Sequence, residues 1–196
     1  IKSNIENETL IFSTNGLLGS RKSQTYSNFN DFMYNLSYWS SWSNGFNIWK
    51  SEFDKIDKNL KLNKLFPHTS LFLTQHQAKL FCINDNLLFD VQRIPKRGGH
   101  NKFEAFTIEY PSLLDECCKK GHISTKCKKH ILFGIMVQFL PSLLFNKYII
   151  RIETFDDTGF RNNLKKYYPS YAYWLVLISV LGVPFRLFCR KLKNKR

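Results

Sequence analysis

The chain has 196 residues, which suits one compact domain of about 110 to 130 residues plus membrane segments and leaves no room for two large domains. Twenty-nine basic against fifteen acidic side chains give a net charge of +14, but their distribution argues against nucleic acid as the partner. Residues 1–60 are balanced at six of each sign, residues 61–130 carry twelve basic against six acidic, and residues 131–196 carry eleven against three. The excess therefore crowds around two apolar segments, where topology and anionic headgroups select Lys and Arg, and no basic and aromatic stripe accompanies it.

The chain begins at Ile1, as expected of a processed protein or of a piece with an upstream part. Its five cysteines are an odd number at irregular spacing, which predicts reduced thiols and no secreted disulfide framework. The sequons at Asn7 and Asn35 arise readily by chance in an Asn-rich chain.

In chain order, residues 1–26 mix Asn, Ser and Gly with a short apolar patch and read as a loosely ordered arm or an edge strand. Phe29, Phe32, Met33 and Leu36 recur at helical spacing behind Ser27 or Asn28 as a cap, which predicts a helix over 28–40. Trp39, Trp42, Phe46 and Trp49 form an aromatic cluster around an Asn-Gly turn, better suited to packing than to stacking a ligand. Trp49, Phe53, Ile56 and Leu60 then predict an amphipathic helix that Pro67 stops. Four short apolar runs follow, over 70–74, 79–83, 87–93 and 103–110, with Asp85-Asn86 as a hairpin tip, and they predict an antiparallel sheet. Pro111 opens a short helix that Gly121 closes.

Two apolar segments come next. Residues 131–150 span roughly 30 Å as a helix, the thickness of a bilayer core, although Gln138, Pro141 and Lys147 interrupt them. Residues 167–185 are uncharged; tyrosines and Trp174 gather at one border, and Arg186 is placed to snorkel at the other. If both segments span, the lysines at 119–129 and the basic tail share the cytosolic or matrix side, and the loop 151–166 crosses.

The expected fold class is α+β: a small domain with amphipathic helices packed on an antiparallel sheet, followed by one or two C-terminal transmembrane helices. Its expected parts are the arm 1–26, the α+β domain 27–125, a candidate span 131–150, a loop 151–166, a transmembrane helix 167–188 and a basic tail 189–196.

Two constellations bear on chemistry. Cys118, His122, Cys127 and His130 supply enough ligands for a tetrahedral zinc, yet the spacing matches no zinc signature and five nearby lysines oppose a dication. An ordinary basic segment beside a membrane carries the same residues. Arg93, Lys96, Arg97 and Lys102 surround Gly98-Gly99 in a loop suited to an anion or a lipid headgroup, without the order of a P-loop. Catalytic signatures are missing. The expectation is an integral membrane protein of unspecified membrane, non-enzymatic and without a required cofactor, whose α+β domain binds or organises other membrane proteins as a scaffold or assembly factor. The alternative is a membrane-surface domain that binds anionic lipid headgroups through its basic loops.

Overall fold

The computed structural model describes residues 9–43, 45–90 and 101–193, with side chains through 189. The chain is mixed α+β and divides into two compact units: unit 1 comprises 1–94 and 113–131, unit 2 comprises 95–112 and 132–196.

Unit 1 is built on a four-stranded sheet of β1 (Thr9–Ser13), β2 (Ser23–Tyr26), β3 (Phe46–Asn47) and β4 (Leu80–Asn84), in the spatial order β2-β4-β1-β3. β1 and β4 run parallel, so the sheet is mixed and not the antiparallel one expected. The residues read as an arm or an edge strand supply the inner strand β1 as well as the edge strand β2. Alternation places Leu10 and Phe12 of β1 on the buried face beside their partners Phe81 and Ile83 of β4.

Helices α1 (Phe29–Leu36) and α3 (Pro67–Thr74) lie between β1 and β4 in the chain, with the single turn α2 (Lys50–Phe53) between them. Asn28 caps α1 by accepting from the Asp31 N–H at 2.8 Å, and the four residues at helical spacing are all buried, as their pattern predicts. They complete an aromatic core in which the Phe12 and Phe72 rings meet edge to face at 5.3 Å and Phe32 lies 5.3 Å from Phe81.

Three expectations along this stretch fail for local reasons. Pro67 opens α3 at its first turn, where a missing N–H costs nothing, so 70–74 is helical and not a strand. The helix expected over 49–60 stops after one turn at Phe53 and the chain goes on in turns, the Ile56 N–H bonding the Phe53 carbonyl and the Asp57 carboxylate taking the Asn59 N–H at 2.9 Å. Residues 87–90 lie outside any strand, and 91–93 fall outside the described residues.

Residues 103–110 are also helical. Lys102–Glu104, a π turn at Ala105–Glu109 and Tyr110–Lys119 run on as one helix, α4 (102–119), capped by the Asn101 side chain. Pro111 sits inside it. The Tyr110 N–H reaches back five residues to the Ala105 carbonyl, and the Thr107 hydroxyl donates to the Phe103 carbonyl at 2.6 Å, so the proline is absorbed without a break. Gly121, at φ 77°, closes α4: its N–H bonds the Cys118 carbonyl while the His122 N–H bonds that of Cys117.

Helix α5 (Thr125–Ile149) repeats the device before Pro141, with the Leu140 N–H bonded to the Ile135 carbonyl and the Ser142 hydroxyl to that of Gln138. In unit 2 the second half of α5 packs against α7 (Ala172–Leu181), burying Ile135, Met136, Leu140 and Leu144 against Ala172 and Val176. α6 (Phe160–Tyr167) precedes α7 and seats Phe160 on the Phe103 ring at 5.2 Å, while the Tyr168 hydroxyl donates to the Phe106 carbonyl at 2.6 Å. α8 (Val183–Lys193) leaves α7 at a 51° bend.

Candidate functional site

α5 is long and apolar enough to cross a membrane, and about half of its most apolar window is buried within the fold. Core helices of soluble proteins share those properties, so the surface of unit 2 discriminates better than the helix itself. α7 is apolar on every side. Its inner face carries Ala172 and Val176, whereas Tyr171, Trp174, Ile178 and Leu181 face outward, and Phe185 and Phe188 continue the series along α8. Their spacing of three and four residues makes one stripe, in which Ile178 is 66%, Leu181 81% and Phe185 71% exposed. A row of such side chains in contact with water is costly at about 25 cal/mol per Å² of apolar surface.

The bend between α7 and α8 has a local cause. Pro184 has no N–H to offer the Val180 carbonyl, and the Arg186 guanidinium turns back to donate at 3.3 Å to the Ser179 carbonyl, which also accepts from the Gly182 N–H at 3.2 Å. The sequence predicts a transmembrane helix over 167–188 with Arg186 at its far border; in the structure the segment holds a ten-residue helix and a second one that leaves it at a 51° bend.

A polar cluster closes one end of unit 2. Lys102 pairs with Glu153 at 3.0 Å and stands 4.3 Å over the Phe155 ring. Lys147 donates to Asp157 and to the Phe155 carbonyl, each at 2.6 Å, and the Tyr148 hydroxyl donates to the same Asp157. Burial would raise the Asp157 carboxyl, but Lys147 and Tyr148 outweigh it and hold the group below the ordinary carboxylate range. Glu153 and Asp157 are thus tied down by two lysines, one from α4 and one from α5.

The proposed anion-binding set is only partly visible. Lys102 is committed to Glu153, and Arg93, Lys96 and Arg97 lie outside the described residues. The four candidate zinc ligands each take a separate partner. Cys118 lies 3.7 Å from the Thr125 hydroxyl, Cys127 is buried with its thiol toward the Asn30 carbonyl, His122 stacks on His76 at 3.5 Å, and His130 stacks on Tyr34 at 3.9 Å. Among the described residues no group of three or more His, Cys, Asp or Glu side chains is arranged to hold a metal ion. Burial, then the His76 ring and Lys120, lower the pKa of His122, and burial pushes the neighbouring Cys117 thiol up to about 12, which leaves it inert as a nucleophile at neutral pH.

Asp85, read from sequence as a hairpin tip, is instead a fully buried hub. Its carboxylate accepts from the Thr14 and Ser20 hydroxyls and from the backbone N–H groups of Leu18, Ser20 and Arg21, at 2.5 to 3.0 Å. Asn15, Gly16, Gly19 and Arg21 all take positive φ to aim those groups inward. The Asn15 side chain in turn bonds the backbone of Leu88 and Phe89. The signal in the sequence is a lone acid after an apolar run, paired with a Thr-Asn-Gly stretch seventy residues earlier.

Neither a family model, nor a curated protein, nor a solved structure matches the chain.

Proposed function

We propose that the chain is an integral membrane protein without catalytic activity of its own, in which unit 2 sits in the bilayer and unit 1 binds or organises other membrane proteins. The observation that carries the first half is the outward stripe from Tyr171 to Phe188, whose aromatic residues gather at the start of α7 and whose far end runs into Arg186, Arg190 and Lys191. α5 supplies a crossing helix, and α7 with α8 a broken span or a re-entrant element beside it. The second half rests on the make-up of unit 1, a small domain whose sequence has no catalytic signature.

Alkaline carbonate washing of membranes tests the anchor. The full chain is expected in the pellet, and the double substitution Ile178→Lys, Leu181→Lys is expected to shift most of it to the supernatant. Full-length protein released by carbonate without any substitution defeats the reading. Mild-detergent purification with crosslinking tests the second half: stoichiometric membrane-protein partners are expected, and a chain recovered alone excludes the organising role.

A further inference from the structure

Unit 1 has a half-open cavity of about 520 Å³ at the end of the sheet where β1 and β4 begin, within the size range of small-molecule sites. Thr9 lines it at the first position of β1. The Thr9 hydroxyl oxygen is buried with no hydrogen-bond partner among the described residues, a condition that native folds tolerate rarely. The unsatisfied hydroxyl thus belongs to a residue of the cavity wall.

The remaining wall has a consistent chemistry. Asn47, Thr74, Gln75 and Gln77 present neutral groups that both donate and accept. The charged residues cancel, with Glu52 and Asp57 against Lys55 and Lys79, and the Lys55 ammonium lies 2.7 Å from the Glu52 carboxylate, so the site carries no net charge to select an ion. Trp49 has its indole N–H committed to the Thr9 carbonyl at 3.1 Å, which fixes the ring beside Leu10, Ile48 and Ile56 as an apolar platform.

We propose that this cavity binds a neutral polyhydroxylated ring of mono- to disaccharide size, its hydroxyls on the amide and hydroxyl wall and its C–H face on the Trp49 platform. The inference is independent of how unit 2 meets the membrane. The full chain, purified in a detergent with no sugar headgroup, is titrated calorimetrically with maltose, glucose and glucose 6-phosphate. Saturable maltose binding is expected, with glucose weaker and glucose 6-phosphate no tighter than glucose.

Thr9→Val should weaken maltose about tenfold, the equivalent of one hydrogen bond, while leaving the sugar-free thermal midpoint equal or higher because no existing bond is lost. Trp49→Ala should abolish binding, and Thr9→Val decides the matter if that variant does not fold. Absence of saturable heat with maltose, unchanged affinity in Thr9→Val, or a preference for the phosphorylated sugar overturns the proposal.

Discussion

At Asp85 a single carboxylate organises two loops, because three backbone N–H groups and two hydroxyls of residues 14–21 all point at it. Burial favours its neutral form, yet the hydrogen bonds from Thr14, Leu18, Arg21 and Ser20 prevail and hold its pKa below the ordinary carboxylate value. The folded value thus lies under the unfolded one, so the stabilisation is complete above the ordinary carboxylate range and is lost as the pH falls through the folded value. Asp85→Asn turns an amide N–H toward backbone donors and is expected to cost about 2–4 kcal/mol in urea unfolding at neutral pH, with a weaker acid dependence than the parent. Gly45 gives a steric counterpart. A Cβ there would stand 2.0 Å from the Phe12 ring, which is fully buried and cannot retreat, so Gly45→Ala is expected to destabilise by about 2–3 kcal/mol in the same measurement.

Among the elements, α1 was legible because Phe29, Phe32, Met33 and Leu36 keep one periodicity behind a competent cap. β4 was legible for the same reason, its alternation being undisturbed. α4 was not, since the π turn at Ala105–Glu109 shifts the register by a residue and Pro111 looks like a beginning. The cavity in unit 1 was illegible on other grounds: Thr9, Trp49 and Gln77 are separated by tens of residues and meet because β1 pairs in parallel with β4 on one side and antiparallel with β3 on the other. Segment 153–157 allows an energetic test of element packing. Lys147 and Asp157 are only 18% and 25% exposed, so their coupling is screened less than a surface pair's. A double-mutant cycle of Lys147→Met and Asp157→Asn is expected to return about 1–2 kcal/mol, and a value near zero would mean that the segment is held by its other contacts, chiefly Lys102 on Glu153 and on the Phe155 ring.

For the molecule as a whole, the partition into units has a bearing on topology. Residues 95–112 belong with the C-terminal helices although they precede part of unit 1 in the chain, so a truncation after Ile131 removes most of unit 2 and strands the first half of α4 without α6 and α7. If α5 and the α7–α8 pair both cross, tags at residues 1 and 196 should be digested together or protected together in sealed membranes. Opposite accessibility would mean that only one of them crosses. If unit 2 meets a bilayer, the +8 balance of residues 131–196 favours anionic lipid phosphates in either arrangement.

The paired π turns ahead of Pro111 and Pro141 carry an evolutionary and practical corollary. Each accommodates one surplus residue, so the chain tolerates shortening there better than in the regular turns that precede it. Excising Val137 together with Pro141→Ala should leave the downstream side chains of α5 pointing as before, whereas the same excision at Leu132 would swing them by about 100° and scramble the packing on α7.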